Sequence, residues 1–155
     1  MNRTLYLVDN NALIFLGRAR VRTEFFVEHC RLTDDVRYEA AEHRERRALA
    51  GLVEPLTPQV LEHVRNLMAT VDVGDITLVD LYGNKGAADP GLVATVLAAA
   101  DAQDGYLLPD SWTIVTADKA VLDLSARNGV TTMSPAELAA MIDASTAEPD
   151  QEQSS

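Results

Sequence analysis

Short apolar runs alternate with helical patterns along almost the whole chain, and this alternation restricts the fold more than any other feature. Leu5 to Val8 is an apolar run rich in strand formers that stops at Asp9, Asn10 and Asn11, as a buried parallel strand does. A helix then starts at Ala12 and runs to Arg18. A second helix spans Glu24 to about Arg31, and a third starts at Thr33, a good N-cap, and continues through Arg47, so these two form a helical hairpin. Leu52 to Leu56 reads as a strand, and Thr57 followed by Pro58 opens a helix to about Thr70 with a cap and a proline at the first helical position. Ile76 to Leu81 is a short strand, Asn84 to Ala88 a loop, and Pro90 to about Ala102 an alanine-rich helix. Trp112 to Val115 is a strand, Lys119 to Arg127 a helix closed by Asn128 and Gly129, and Val130 to Met133 the last strand before Ser134 and Pro135 open a terminal helix. The expected fold is α/β: a mostly parallel sheet of four to five strands between two helical layers, with ligands bound beyond the carboxyl ends of the strands.

Length and composition set the outer limits. The 155 residues, 47% of them apolar, suffice for one domain with a single aliphatic core, since aromatics are only 5%. The domain is expected over residues 1–143, with a polar, acidic tail over 144–155 that lacks the apolar content to fold. The single cysteine, Cys30, cannot form an internal disulfide, and the first apolar run is too short for a signal peptide or a membrane span, so the cytoplasm is the default location. A net charge of −11, from 24 acids against 13 bases, speaks against a bulk nucleic acid binder. It does not exclude a nuclease, because divalent cations in an acidic cleft invert the local potential and attract phosphate.

Asp9 follows the first strand directly, and Asp118 lies three residues after Val115, so both fall on the carboxyl edge of the expected sheet. Asp89 stands at the start of the long helix and Glu39 in the third, so successive acids are separated by 30, 50 and 29 residues. A βαβ unit takes roughly 30 residues, so such intervals can return the chain to one edge without requiring it. Converging carboxylates suit a hard cation such as Mg²⁺ or Mn²⁺, which takes oxygen ligands and keeps several waters. His29, His43 and His63 fall at unrelated places, which argues against zinc.

The residues around these acids resemble the motifs of PIN-domain ribonucleases of the VapC toxin type. Leu5-Tyr6-Leu7-Val8-Asp9-Asn10-Asn11 looks like the opening strand and acid of that family, Lys85-Gly86-Ala87-Ala88-Asp89 like its middle motif, and Ile114-Val115-Thr116-Ala117-Asp118-Lys119 like its late motif. Glu39 matches the remaining acid. The motifs run in the family's order from about Leu5 to Ile142, with two departures: Asn10 where Thr or Ser is usual, and Pro90 where an apolar helix former is usual. The resemblance implies a PIN-like three-layer α/β/α fold and a metal-dependent endoribonuclease with catalytic acids Asp9, Glu39, Asp89 and Asp118. Of these, Asp9, Asp89 and Asp118 would hold Mg²⁺ or Mn²⁺, and cleavage would leave a 5′-phosphate and a 3′-hydroxyl. It further implies the toxin of a toxin–antitoxin pair, with RNA as substrate, a cognate antitoxin protein and a homodimer.

Each assignment has a plainer rival. Asp9, Asp89 and Asp118 could simply cap the helices that follow, and Glu39 could be one more solvated charge among Asp34, Asp35 and Glu42. Asn11 is expected to orient a carboxylate from behind, or else to be a turn residue, and Thr116 to orient a water or phosphate, or else to cap a helix. Arg44, Arg46 and Arg47 could grip RNA phosphates or pair with Glu42 and Glu45 on a helix surface. At the level of the whole chain, a degenerate PIN domain that binds RNA or protein without cutting is the main alternative. A phosphoacceptor receiver domain fits badly, because Asp9 is followed by Asn10 and Asn11 rather than a second acid, and no acceptor acid stands at Leu56.

Overall fold

The computed structural model describes residues 2–35, 49–70 and 89–147. Five strands, β1 (Thr4–Val8), β2 (Cys30–Thr33), β3 (Val53–Glu54), β4 (Ser111–Val115) and β5 (Thr131–Met133), form one sheet in the order β3-β2-β1-β4-β5. All four pairings are parallel. Among the described residues the α/β class is thus met by an all-parallel sheet of five strands. β1 lies at its centre because Leu5, Tyr6, Leu7 and Val8 are buried on both faces, the pattern a strand covered above and below requires.

The helices are α1 (Asn10–Val21), α2 (Glu24–His29), α3 (Pro58–Ala69), α4 (Asp89–Ala102), α5 (Lys119–Arg127) and α6 (Pro135–Ala147). α1, α2 and α6 pack on one another, and α4 packs on α3 and α5, giving two helical layers. Leu13 and Leu16 of α1, Phe26 of α2, Leu67 of α3, Leu92 and Val93 of α4, Leu124 of α5 and Leu138 and Ile142 of α6 are among the buried contributions to the core. Among the described residues no helix is long and apolar enough to cross a membrane.

Four local expectations change. The helix expected to reach Arg31 ends at His29, and Cys30–Thr33 is a strand pairing with β1 at Tyr6↔Cys30 and Leu7↔Arg31, so a strand intervenes between the second helix and the helical turn that begins at Asp34 and Asp35. Burial on the sheet drives this, since Cys30 and Leu32 are both fully buried. The strand expected over Leu52 to Leu56 is confined to Val53–Glu54. α1 extends past Arg18 to Val21 through a break at Gly17, whose φ of 78° and ψ of 170° are not helical. The terminal helix reaches Ala147, four residues into the segment expected to be an acidic tail. The strand expected over Ile76 to Leu81, and the third helix beyond Asp35 as far as Arg47, lie outside the described residues.

Candidate active site at the carboxyl edge of β1 and β4

From β1 the chain crosses to β2 on one side, whereas from β4 it crosses to β5 on the other. The two crossovers leave in opposite directions, so the carboxyl ends of β1 and β4 form the switch point of the sheet. That is where open parallel sheets bind ligands. Asp9 and Thr116 are the first residues beyond these two strands.

Asp9 is 8% exposed and caps α1. Its Oδ1 accepts the Ala12 N–H at 2.7 Å and its Oδ2 accepts the Thr116 hydroxyl at 2.5 Å. Its backbone N–H donates to the Val115 carbonyl at 3.2 Å, which extends the β1–β4 ladder by one rung. Thr116 is 1% exposed. Its Oγ1 also accepts the Asp118 backbone N–H at 3.0 Å, so one hydroxyl fixes the Asp9 rotamer and the turn carrying Asp118 together. Asp118 in turn caps α5, its Oδ1 accepting from Ala120 N at 2.8 Å and Val121 N at 3.3 Å. Its Oδ2 accepts no hydrogen bond among the described residues.

The capping readings hold for Asp9 and Asp118, and both carboxylates also stand at one edge of the sheet. Burial pushes the Asp9 carboxyl above its ordinary pKa; the bonds from Thr116 and Ala12 pull it back, and the nearby charge of Asp118 raises it further. Two acids that repel each other, with no ion-pair partner among the described residues, are electrostatically ready for a cation. The donors are all oxygen, which fits Mg²⁺ or Mn²⁺ and not zinc. Cys30 is no rival ligand, because burial pushes its thiol up to about 12.

The other expected residues are placed less completely. Asp89 is the first residue of α4, and the structure describes only its backbone. The first turn of α4 reaches the same edge: a Cβ added at Gly91 would stand 3.6 Å from Oδ2 of Asp35, which follows β2. Asn11 is exposed on the first turn of α1 and makes no hydrogen bond to Asp9. The side chain that orients Asp9 is Thr116. Asn10 is half-buried, and its Oδ1 is buried without a partner among the described residues. Glu39, Arg44, Arg46 and Arg47 lie outside the described residues. Among the described residues no group of three or more His, Cys, Asp and Glu side chains converges to hold a metal ion, so the pair Asp9–Asp118 is the part of the acid set brought together here.

Asp35 is the acid that sequence reasoning passed over. Burial, and then the charge of Asp34, push its carboxyl above the ordinary value. A strand reading of Cys30–Thr33 would have marked it, by the same rule that selects Asp9 and Asp118.

Fold and site together define an α/β domain with an all-parallel five-stranded sheet and a carboxylate pair at its switch point, the architecture expected of a PIN-like fold. No protein-family model matches the chain, and no curated protein matches it. Among solved structures the chain is similar to FitAB bound to an IR36 DNA fragment, at 16% identity and a TM-score of 0.49, over 84% of this chain and 95% of that one. It is similar also to FitAcB from Neisseria gonorrhoeae, at 16% identity and a TM-score of 0.49, over 84% of this chain and 98% of that one.

Proposed function

We propose that this protein is a Mg²⁺- or Mn²⁺-dependent endoribonuclease of the PIN type, acting as the toxin of a toxin–antitoxin pair. The observation that carries the reading is the Asp9–Thr116–Asp118 arrangement at the switch point of the sheet. Asp9 and Asp118 would hold the cation, with Asp89 and Glu39 completing the acid set by their match to the family motifs. A bound divalent ion lowers the pKa of a coordinated water and stabilises charge on the leaving oxygen of the phosphodiester. Thr116, bonded to Oδ2, would hold the Asp9 carboxylate in one orientation. Asp118 retains, among the described residues, an oxygen free of hydrogen bonds for the cation.

The reading accommodates the acidic chain. A net charge of −11 repels RNA until cations bind the acids, so substrate binding and turnover should both depend on the metal. Arg44, Arg46 and Arg47 are candidates for contacts to RNA phosphates. Ile14 and Phe15 of α1, 53% and 56% exposed, offer apolar surface to an antitoxin helix. The cytoplasm, where RNA is found and a lone cysteine stays reduced, is the compartment proposed.

The test is cleavage of structured RNA in Mn²⁺, Mg²⁺ or chelator, by wild type and Asp9→Asn, with Mn²⁺ binding followed by calorimetry. Metal-dependent cleavage that disappears in Asp9→Asn, together with weakened Mn²⁺ binding, is expected. RNA binding in chelator without cleavage in any metal would identify a non-catalytic binding module instead.

A further inference from the structure

The helical layer of α1, α2 and α6 holds a cavity of about 590 Å³ between α2 and the last turn of α6, a volume within the range of small-molecule sites. The hydrogen-bonding groups on its walls have one property in common: their protons are already spent on backbone carbonyls. The Thr23 hydroxyl donates to the Arg20 carbonyl at 2.7 Å and accepts the Phe26 N–H at 3.3 Å. The Ser145 and Thr146 hydroxyls both donate to the Ile142 carbonyl at 2.7 Å. His29 Nδ1 lies 3.2 Å from the Thr4 carbonyl, which can only accept, so the ring proton belongs on Nδ1 and Nε2 is left as an acceptor.

The rest of the wall adds negative charge and an aromatic surface. Glu24 and Glu28 stand one turn apart on α2, and neither pairs with a lysine or arginine among the described residues. Glu28 Oε2 is 3.8 Å from His29 Nε2, beyond hydrogen-bond reach, so both keep their lone pairs. α6 brings its carboxyl end here with no basic residue in its last turn, and the carbonyls of that turn carry the negative end of the helix dipole. Phe25 supplies a ring. An anion is repelled by such walls, and a neutral acceptor finds no side-chain proton to bond. Their complement is a cation with several donors and a flat face. A guanidinium has five N–H groups in one plane and stacks on aromatic rings, whereas an ammonium is compact and offers three. We infer that this cavity is a binding site for a guanidinium-bearing ligand, paired with Glu24 and Glu28, bonded to the lone pairs of Ser145 and Thr146 and stacked on Phe25.

The site is separate from the acid pair. His29 is bonded to Thr4, the first residue of β1, whereas Asp9 follows the last, so the strand sets the two roughly 15 Å apart. Failure of one site leaves the other intact. Glu24 and Glu28 are exposed, so added salt should screen their attraction and weaken binding.

Calorimetric titration of the full chain with L-argininamide and L-lysinamide tests the assignment, since the two ligands carry the same charge and differ in the planar group. Argininamide is expected to bind saturably, at least about threefold tighter than lysinamide. Glu28→Gln should weaken it about tenfold, as for loss of a hydrogen bond to a charged group. Asp123→Asn on α5 removes one charge far from the cavity and should leave the affinity unchanged, and circular dichroism checks that both variants fold. A blocked Gly-Arg-Gly peptide distinguishes the two sources of the group: tighter binding of argininamide marks a free small molecule, tighter binding of the peptide an arginine side chain. Absence of saturable argininamide binding, equal binding of lysinamide, or an Asp123→Asn loss as large as that of Glu28→Gln overturns the inference.

Discussion

Thr116 shows how much can depend on one buried hydroxyl. Its single proton goes to Asp9 and one of its lone pairs to the Asp118 N–H, so removal leaves both acids free to reorient. Thr116→Val keeps the shape and deletes the hydroxyl. Cleavage by this variant is expected to fall about 10- to 100-fold, the usual cost of losing a group that orients a metal ligand, while circular dichroism shows an unchanged fold. Asp9 itself carries a stability penalty, which the proposed metal role would explain. Its folded pKa is raised, so the folded state keeps a proton that the unfolded chain has already released, and stability declines as pH rises through that window. Metal-free Asp9→Asn should therefore melt at a higher temperature than wild type at neutral pH. The advantage should vanish below pH 3.8, the ordinary carboxyl value, where both states of wild type are protonated. Asp9 and Thr116 were legible because each follows directly on an apolar run, and Asp118 because it lies three residues beyond one. The exposed Asn11 was not, since sequence spacing does not say which way the first turn of a helix faces.

Among the elements, α1 and β2 are the instructive ones. Gly17 interrupts α1 with a backbone conformation open essentially to glycine alone, although the space around it is empty. Gly17→Ala should then destabilise the protein by about 1–3 kcal/mol through backbone strain and not through a clash, measurable as a lower urea midpoint with an unchanged slope. β2 eluded the sequence reading for a physical reason. No glycine or proline separates it from α2, and the helix gives way to strand between His29 and Cys30 because pairing with β1 buries Cys30 and Leu32. Such a boundary is set by tertiary contacts, and local propensity is silent about it. Elements with their own punctuation fared better: Thr57-Pro58 and Ser134-Pro135 each open a helix where the residues say they should.

Taken whole, the molecule is pinned at both ends of its central strand pair by side chains 107 residues apart, Arg3 to Asp110 at one end and Asp9 to Thr116 at the other. The amino-edge clasp is acid-sensitive. The Arg3 backbone N–H above all, then its guanidinium and the Gln103 amide, hold the Asp110 carboxyl at about 2, below the ordinary 3.8. Its contribution is complete above pH 3.8 and is lost as pH falls through 2. Asp110→Asn should accordingly lose less stability than wild type between pH 4 and pH 2 in a series of thermal melts. The overall α/β plan was legible from alternation alone, whereas the strand order, which creates the switch point, was not, because pairing between distant segments leaves no trace in local pattern. That order also governs when the protein becomes competent. Asp9 is made almost at once, but its neighbours in space come from residues 116 and 118 of 155, so a growing chain holds no assembled acid pair until about three quarters of it has been synthesised. A polypeptide stalled earlier on the ribosome lacks the Asp9–Asp118 pair altogether, so the proposed chemistry would arise only late in synthesis.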